Sequence, residues 1–566
     1  MTTKESGATQ AHRSVIVSQL INDTDPGTLV NGVVWAKGAA EKTYAVNKFD
    51  PATRDDQLSY APGPDRTTKY VFNKYADNGF KCFGYSGDWL IGDTRYGKGP
   101  SEPDPSYTTG GRGTNLARFL GKTGTFQKMI LGFLAIVGDK GVNRIPIYNS
   151  LVLWGLVSPP AIPGEPTEAE LEAAEAQWSG HVRFIDPWND LAAYINCNFS
   201  GYVSEDYSDL YRPEKAQGVL GALLQIYRSI PGLELSLSLG GWSMSYAFYA
   251  VARERDPAKR KTFIDSIVAI FTTFPMFTSM DIDWEYPGVS GNEPGPGETW
   301  LGNPYDDDDA AYFAELIREL KARLPAVKIS IASIAAPAKL AKSNIPALIK
   351  AGLDGINVMA YDFFGTPWAT QLQHHCNLYR SNPDDINENS VDAAVQYLLG
   401  LGVPSYMIYV GYANYSRNAQ QAELTSVSPL VGKYEQRPGS DDVSNSTPGC
   451  FEPGVTEMPG MLKHYLDLET GEPRNGFILY TDERANADFL YNRTTKVFMS
   501  LDTPRTVKLK GEYVVEHKLG GLFSWMIDHD PGLMNNAARE GVGCTLLEEV
   551  IDMKPFYYKG ATTLQP

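Results

Sequence analysis

The chain has 566 residues, of which 43% are hydrophobic and 21% charged, and its formal net charge is −17 at pH 7. This composition excludes an intrinsically disordered protein and supplies enough apolar surface for a large core. The negative charge, without any cluster of Lys and Arg, argues against nucleic acid and anionic membranes, which are polyanions, and suits an uncharged polymer better.

The first part of the chain, residues 1–75, is predicted to be a small β-rich region. Runs such as Ser14–Leu20 and Gly32–Ala36 are β-like and are separated by Asp, Pro and Gly turns. The N-terminus is polar and lacks the apolar segment of a signal peptide. A secreted protein with this N-terminus is therefore expected to leave the cell by another route or as part of an assembly. No stretch of about 20 apolar residues predicts a membrane span.

From residue 76 onward, short apolar strands alternate with amphipathic helices, which predicts a closed α/β fold, the (β/α)8 or TIM barrel. One predicted helix, Asp309–Leu324, has acidic residues in its first turn and basic residues near its end. The eight predicted strands are Phe80–Tyr85, Ser150–Trp154, Glu234–Leu239, Ser279–Trp284, Lys328–Ser333, Gly355–Ala360, Met407–Val410 and Gly521–Trp525.

Two stretches interrupt this alternation. Val157–Gly180 is rich in Pro and then in Ala and Glu, and it predicts an insertion with one helix. Residues 418–510 are too long for a barrel loop and predict a small α+β insertion domain. This domain contains strand-like runs at Phe477–Tyr480 and Lys496–Met499 and leads into a helix near Val507–Leu519. The barrel strands one to seven then occupy residues 76–417, and residues 511–566 supply the last strand and a C-terminal helix or tail.

Five cysteines are spread along the chain without a CxxC pair, so neither a zinc site nor a redox pair is predicted. Their odd number leaves at least one free thiol. The acidic run Asp306–Asp309 is interpreted as a helix N-terminus, where the helix dipole favours negative charge, rather than as a metal site. We therefore expect no metal and no cofactor.

Three acidic residues alternate with two apolar ones in the segment Asp281-Ile-Asp-Trp-Glu285. On a strand, this spacing places the three carboxylates on one face and Ile282 and Trp284 on the other. In a barrel the apolar face meets the helices, so the acids point inward, where mutual repulsion raises the pKa of at least one of them. Cleavage of a glycosidic bond requires an acid that keeps its proton near neutral pH. Glu285, nearest the carboxyl end of the strand, where barrel active sites open, is the predicted acid.

The same ladder of acids has two other interpretations, a calcium or magnesium site and a solvated edge strand of alternating polarity. The neighbouring residues Trp284, Tyr286, Pro287 and Gly288 argue against the edge strand, which has no need of an aromatic setting.

The segment Asp281–Glu285 resembles the signature strand of the family 18 glycoside hydrolases, the chitinases. Five other segments resemble motifs of that family's barrel strands in the family's order: Phe83–Trp89, Ser238–Trp242, Met359–Gly365, Gly411–Arg417 and Gly520–Trp525. The resemblance covers about residues 79–540. It is greatest to the bacterial chitinase A type, which carries an α+β insertion between strands seven and eight, and Asp502–Gly521 resembles the end of that insertion.

The chain departs from the family pattern at two places. Thr278 and Ser279 stand where the family has Asp-Gly, so the outermost acid of the ladder is missing and its support of Asp281 must come from elsewhere. Asn414 stands where a Met is usual. Neither change affects Asp283 or Glu285, so we expect activity with an altered pH dependence.

The resemblance implies a retaining, substrate-assisted mechanism. Glu285 protonates the linking oxygen while the substrate's 2-acetamido carbonyl attacks C1. Asp283 orients the acetamido N–H and stabilises the oxazolinium intermediate, Asp281 shares a proton with Asp283, and Tyr361 hydrogen-bonds the acetamido group. The implied substrate-binding residues are Trp89, Gly241, Trp242, Tyr286, Met359, Asp362, Tyr415, Arg417 and Trp525, with Trp368 as a weaker candidate. His374 and His375 could line the cleft or lie on the surface.

The function implied is hydrolysis of the β-1,4-N-acetylglucosamine linkages of chitin by a secreted, endo-acting enzyme. One alternative is an endo-β-N-acetylglucosaminidase that acts on glycoprotein glycans. Another is a chitin-binding lectin or structural subunit, although family 18 lectins usually lack the acid corresponding to Glu285. The expected partners are chitin or chito-oligosaccharides. Some insect-pathogen toxin complexes include chitinases of this kind, so a larger toxin assembly is a further expectation, with the N-terminal region as its docking surface.

Overall fold

The computed structural model describes residues 71–92, 114–162, 165–194, 196–201, 203–204, 206–294, 300–365, 369, 371–434, 454–458, 461–462, 465–466 and 476–565. The β-like runs predicted within residues 1–70 lie outside this part of the chain, as does Trp368.

Eight parallel strands form a closed barrel. In chain order they are Lys81–Gly87, Lys128–Ile136, Glu234–Gly240, Phe277–Asp283, Lys328–Ile334, Gly355–Met359, Ile408–Ala413 and Gly521–Trp525, and they are called the first to the eighth barrel strand below. Each strand pairs with the next in chain order, and the eighth pairs with the first, with Phe523 opposite Phe83. The predicted (β/α)8 barrel is confirmed.

One predicted strand is wrong. Ser150–Trp154 lies at the end of the helix Arg144–Leu153, and the second barrel strand is Lys128–Ile136. A short apolar run fits a buried helix face as well as it fits a strand, so periodicity alone does not separate the two. Lys128–Ile136 is buried along almost its whole length, as expected for a parallel strand that is covered on both faces.

Helices follow most of the barrel strands and pack around the outside. Their bounds are Arg144–Leu153, Glu168–Trp178, Tyr207–Leu210, Gly218–Ser229, Tyr246–Arg253, Pro257–Thr273, Asp309–Arg323, Pro337–Ser343, Ile345–Ala351, Val391–Gly400, Pro504–Glu516 and Leu533–Gly541. The helix predicted over Asp309–Leu324 and the single helix predicted within Val157–Gly180 are both present. No helix in the described ranges is long and apolar enough to cross a membrane.

A five-stranded antiparallel sheet precedes the eighth barrel strand. In spatial order its strands are Val455–Glu457, Tyr415–Ala419, Val497–Leu501, Ala487–Asn492 and Ile478–Asp482. The strand-like runs predicted at Phe477–Tyr480 and Lys496–Met499 fall on two of them. The following helix, Pro504–Glu516, begins three residues earlier than predicted because Thr503 caps it with a capping box and Pro504 suits its first turn. The domain boundaries stay a prediction.

The largest hydrophobic core fills the space between the barrel strands and the surrounding helices. Three smaller clusters in the described residues are separate from it: one packs on the antiparallel sheet, one fills the upper interior of the barrel, and one lies between the end of the second barrel strand and the helices Arg144–Leu153 and Glu168–Trp178. The interior cluster is rich in aromatic residues and includes Phe83, Tyr85, Tyr361 and Phe523. Aromatic side chains therefore close the barrel beneath the loops at the carboxyl ends of its strands.

Candidate active site

The ladder of acids ends the fourth barrel strand. Asp281 and Asp283 lie within the strand, Glu285 lies two residues beyond its end, and all three are buried. Trp284 points the other way, between Phe248 and Phe313 of two outer helices, with ring centroids 5.6 and 5.4 Å apart. The alternation in the sequence thus places the acids inside the barrel and the indole against its helices.

Asp281, the deepest acid, accepts four hydrogen bonds from four other strands. Their donors are Tyr85 Oη at 2.9 Å, Ser238 Oγ at 2.9 Å, Ser330 Oγ at 2.7 Å and Asn357 Nδ2 at 3.0 Å. Burial raises the pKa of Asp281, while three of these donors and the Lys128 ammonium oppose the rise. This shell supports Asp281 where the outermost acid of the family pattern is missing.

Asp283 sits between the other two acids with much less support. Within the described residues its Oδ1 has no hydrogen-bond partner. Burial, followed by the neighbouring charges of Glu285 and Asp281, raises the pKa of Asp283 well above its usual value. Burial and two acidic neighbours therefore favour the protonated form of Asp283 more than they would for an exposed aspartate.

Glu285 is the acid nearest the mouth of the barrel. Burial raises its pKa to about 7; a hydrogen bond with Tyr286 opposes the rise and the charge of Asp362 adds to it. Its backbone N–H donates to Ser245 Oγ at 2.9 Å, and its carbonyl accepts from Asn303 Nδ2 at 3.1 Å. A carboxyl group with this pKa can give up and take back a proton near neutral pH.

Asp362 lies beyond the end of the sixth barrel strand, in a left-handed backbone conformation with φ of 59°. Its Oδ1 accepts Tyr415 Oη and Arg417 Nε, both at 2.7 Å. Burial raises the pKa of Asp362, but the Arg417 guanidinium and the His375 imidazole outweigh burial and hold it well below the usual range. Asp362 is therefore a fixed negative charge beside the acids.

Tyr361 is buried at the end of the same strand, with its ring 6.2 Å from the rings of Tyr415 and Phe523. Burial raises its pKa well above the usual value, so its hydroxyl stays protonated and can donate. Gly411 allows this placement, because a Cβ there would lie 2.7 Å from the Tyr361 ring. Met359 is half-buried and packs against the same interior cluster.

Aromatic rings from two barrel strands and from the short helix Asp88–Gly92, which follows the first strand, form one side of the site. The half-buried Trp525 ring stacks on Phe133 with centroids 5.8 Å apart, and Phe133 stacks on Trp89 at 6.0 Å. Phe133 lies in the second barrel strand, which the sequence analysis placed elsewhere, so its role was missed. The missed signal was the run Lys128–Ile136, which is as apolar as the strands that were found.

Trp242 and Tyr286 form a second aromatic pair, with ring centroids 6.4 Å apart. Trp242 is 51% exposed, which is unusual for an indole and leaves its ring available for contact. Gly240 and Gly241 bring the preceding chain close to the ladder; a Cβ on Gly240 would lie 2.4 Å from the Asp283 carbonyl oxygen. Gly241 thus contributes a close approach of the backbone rather than a side chain.

The two adjacent histidines have different surroundings. His375 is buried beside Asp362 and belongs to the site, with 3.8 Å between its Nδ1 and Asp362 Oδ1. His374 is also buried, but it pairs with Asp482 of the antiparallel sheet at 3.1 Å. Neither is a surface histidine.

Asp309 is the last residue of the acidic run Asp306–Asp309 and the first residue of the predicted helix. It also binds the chain segment that follows Glu285. Its carboxylate accepts the N–H groups of Gly288 and Asp306, both at 2.8 Å, and pairs with Arg253. No group of His, Cys, Asp and Glu side chains in the described ranges is arranged to hold a metal ion.

Comparisons with known proteins give consistent matches. The family model described as glycosyl hydrolases family 18 matches residues 125–530, which include the ladder and every barrel strand but the first. Chitinase 1 of Yersinia entomophaga is 40% identical over 545 residues, covering 95% of this chain and 94% of that protein. Chitinase 2 of the same organism is 36% identical over 552 residues, covering 92% and 81%. The chitinase Chi1, whose crystal structure was fitted into the Yersinia entomophaga toxin complex, has a TM-score of 0.77 at 38% identity, covering 92% of this chain and 96% of that one.

Proposed function

Because the chain belongs to family 18 of the glycosyl hydrolases, as its motifs predict, we propose that it hydrolyses chitin at β-1,4-N-acetylglucosamine linkages within the polymer. The observation that carries this proposal is Glu285, a buried acid with a pKa of about 7, at the open end of a barrel that is lined with aromatic rings. Aromatic faces stack on the apolar faces of sugar rings, and the acid can protonate a leaving oxygen.

In the proposed reaction Glu285 gives its proton to the linking oxygen as the bond from C1 to that oxygen breaks. The carbonyl oxygen of the substrate's own acetamido group forms a bond to C1, and a positively charged oxazolinium results. Water then attacks C1 while Glu285 takes back a proton, and the oxazolinium ring opens. Family 18 enzymes are an exception to the two-carboxylate rule for retaining glycosidases, because the substrate supplies the nucleophile.

The neighbouring groups have complementary tasks in this proposal. Asp283 accepts the acetamido N–H and stabilises the oxazolinium charge, which suits a carboxyl oxygen that has no partner among the residues the structure describes. Asp281 shares a proton with Asp283. The protonated Tyr361 hydroxyl donates to the acetamido oxygen.

The sugar-binding surface is assigned to the aromatic residues and to Asp362 with its partners. Trp525 lies beneath the sugar that is cleaved, while Trp89, Trp242 and Tyr286 contact more distant sugars. Asp362 and Arg417, held together at 2.7 Å, face the sugar hydroxyls, and Tyr415 braces them.

A comparison of substrates tests this function. Chitin oligomers should be cleaved and should first yield the β-anomer, because attack by the carbonyl and then by water inverts C1 twice; proton NMR of fresh product reads the anomer. Fully deacetylated oligomers and cellulose oligomers lack the attacking carbonyl and should not be cleaved.

Glu285→Gln should lower the rate of chitin-oligomer cleavage about 100- to 10,000-fold and leave oligomer binding intact. An initial α-anomer, or cleavage of deacetylated oligomers, would require a second catalytic carboxylate. Cleavage of glycoprotein glycans without cleavage of chitin would favour the endo-β-N-acetylglucosaminidase alternative.

We also propose that the protein acts outside the cell that makes it, since chitin is a polymer too large to enter. The likeness to a chitinase fitted into a toxin complex supports a second proposal, that the chain assembles into a larger toxin complex of the same kind. Size-exclusion chromatography with light scattering on native culture supernatant tests both proposals. A chitin-cleaving peak in the supernatant heavier than a single chain is expected. Activity confined to the cell pellet would contradict the proposed location. A peak at the mass of one chain would contradict the proposed assembly.

A further inference from the structure

Ser245 is a buried serine, 1% exposed, at the start of the helix Tyr246–Arg253. Its hydroxyl oxygen accepts the backbone N–H of Glu285 at 2.9 Å. The same oxygen lies 2.9 Å from the carbonyl of Gly241 and 3.1 Å from the carbonyl of Asp283. A serine hydroxyl has one proton, so that proton is shared between the two carbonyls while the oxygen accepts from Glu285.

This hydroxyl acts where the regular pairing of the barrel strands stops. The third and fourth strands are last paired at Gly240 and Asp283, and one further bond joins the Gly241 N–H to the Asp283 carbonyl at 2.8 Å. Glu285 lies two residues beyond that point, and in the described part of the chain no strand pairing reaches it. Ser245 therefore replaces the missing strand contact and connects the backbone of Glu285 to that of Asp283 and Gly241.

The segment that carries Ser245 is itself fixed by the turn after the second barrel strand. Asp139 Oδ2 accepts the Ala247 N–H at 3.3 Å, and Asn143 Nδ2 donates to Ser243 Oγ at 2.8 Å. Asp139 is buried and also accepts the Gly141 N–H at 2.9 Å. Hydrogen bonds from this turn thus hold the chain on both sides of Ser245, at Ser243 and at Ala247.

We propose that Ser245 is the positioning residue for the acid, holding the backbone of Glu285 so that its carboxyl group meets the linking oxygen of the substrate. This inference rests on the proposed function of Glu285. An acid works only within hydrogen-bond reach of the atom it protonates, and a displacement of about 1 Å can cost about 100-fold in rate. In Ser245→Ala the Glu285 N–H loses its acceptor, and the turn that carries the acid is free to shift.

The choice of leaving group separates this role from a merely structural one. A chito-oligosaccharide leaves as a poor alkoxide and needs its oxygen protonated, whereas the para-nitrophenolate of an aryl chitobioside leaves readily without an acid. A misplaced acid therefore slows cleavage of chitotetraose much more than release of para-nitrophenol. A general loosening of the fold slows both alike.

Wild type, Glu285→Gln, Ser245→Ala and Ser266→Ala are compared by kcat/KM on both substrates and by melting temperature. Ser266, in the outer helix Pro257–Thr273, is the matched control: its hydroxyl accepts the Val182 N–H at 2.9 Å and donates to the Phe263 carbonyl at 2.7 Å. We expect Ser245→Ala to lower kcat/KM for chitotetraose about 10- to 100-fold. The fold-loss in kcat/KM for the aryl substrate should be smaller than that by a factor of about five or more. Ser266→Ala should change both rates equally and little.

Equal losses on the two substrates, or wild-type rates, would overturn the role of Ser245. If Ser245→Ala does not fold, Ser245→Cys, which has nearly the same size but a much weaker hydrogen-bonding thiol, is measured in its place. A changed ratio between the two substrates then supports the proposal and an unchanged ratio overturns it. A failure of the proposed function itself would be seen separately, as a wild type that cleaves neither substrate or a fully active Glu285→Gln.

Discussion

Asp283 and Glu285 are separated by one residue, yet their surroundings differ. Glu285 has a partner in Tyr286 and its pKa rises only to about 7, whereas Asp283 has two acidic neighbours and one oxygen without a partner in the described part of the chain. Charging two buried carboxyls that repel each other is costly, so the pKa of Asp283 is raised well above its usual value. In the proposed reaction, the carboxyl that gives up its proton is that of Glu285, the acid nearest the mouth of the barrel.

Asp283→Asn tests this division of tasks. The amide has nearly the same shape but cannot carry the negative charge that faces the oxazolinium, so we expect kcat to fall by about 100-fold or more. Stability should be unchanged or higher, because the buried carboxyl that is removed lies between two acidic neighbours that repel its charge. Steady-state kinetics on chitotetraose and thermal unfolding measure the two effects. If Asp283→Asn keeps a near wild-type kcat while Asp281→Asn is inactive, the roles assigned to the two aspartates are reversed.

The Asp362 carboxylate should set the alkaline limit of activity. Its charge repels the ionised form of Glu285 and thereby raises the pKa of Glu285. In Asp362→Asn that repulsion is gone, so the pKa of Glu285 falls and the acid loses its proton at lower pH. The alkaline limb of the kcat/KM profile, expected near pH 7 in wild type, should move down by about one pH unit.

The control for this pH profile is Asp307→Asn, which removes an exposed carboxylate paired with Lys342 at 2.7 Å. Its alkaline limb should coincide with that of wild type. An unmoved limb in Asp362→Asn would mean that Asp362 does not influence the acid, whatever the variant does to substrate binding.

The sequence reveals the ladder but not the shell around it. Spacing along one strand is enough to bring Asp281, Asp283 and Glu285 to one face. The donors to Asp281, such as Ser330 and Asn357, lie on other strands, and their proximity depends on barrel register, which no local pattern encodes. Ser245 was missed for the same reason.

Among the secondary-structure elements, prediction failed where two patterns were equally apolar. The fourth barrel strand was recognised from its alternation, and the helix Asp309–Arg323 from its charged ends. The second barrel strand carries neither mark, because a strand that is buried on both faces has no polar face to show a period of two. The adjacent helix Arg144–Leu153 offered a similar apolar run and was chosen instead.

The helix Pro504–Glu516 is joined to the antiparallel sheet by a buried ion pair. Arg505 Nη2 and Nε lie 2.5 and 3.2 Å from the two carboxylate oxygens of Asp488, and Thr503 Oγ1 donates to the same carboxylate at 2.6 Å. Arg505→Ala leaves the buried Asp488 charge without its cation, so we expect the free energy of unfolding to fall by about 3–5 kcal/mol. Urea denaturation followed by tryptophan fluorescence measures the loss.

The matched control for this ion pair is Arg255→Ala, which removes an exposed arginine 2.8 Å from Glu315. An exposed pair of this kind contributes at most about 1 kcal/mol. If Arg505→Ala and Arg255→Ala are equally stable, the ion pair between Arg505 and Asp488 contributes no more to the free energy of unfolding than a surface pair does.

For the whole molecule, a net charge of −17 surrounds a site that is proposed to bind an uncharged polymer. Such a surface neither attracts nor repels chitin, so recognition falls to stacking and hydrogen bonds inside the cleft. Deacetylated chitin is different, because each of its free amines carries a positive charge when protonated. The protein's field should therefore attract a polymer that the proposed mechanism cannot cleave.

Deacetylated oligomers should therefore bind to the protein without being cleaved. Fully deacetylated oligomers should inhibit cleavage of chitotetraose competitively at pH 6, and their inhibition constant should rise about 10-fold or more between 20 and 200 mM NaCl as salt screens the attraction. The KM for chitotetraose should stay nearly constant over the same range, since the acetylated oligomer is uncharged. Initial-rate inhibition assays at several salt concentrations measure both quantities, with cellulose oligomers as a neutral control that lacks the acetamido group. Inhibition by the deacetylated oligomers that does not depend on salt would show that stacking alone holds them, and that the charge of the molecule has no part in selecting its polymer.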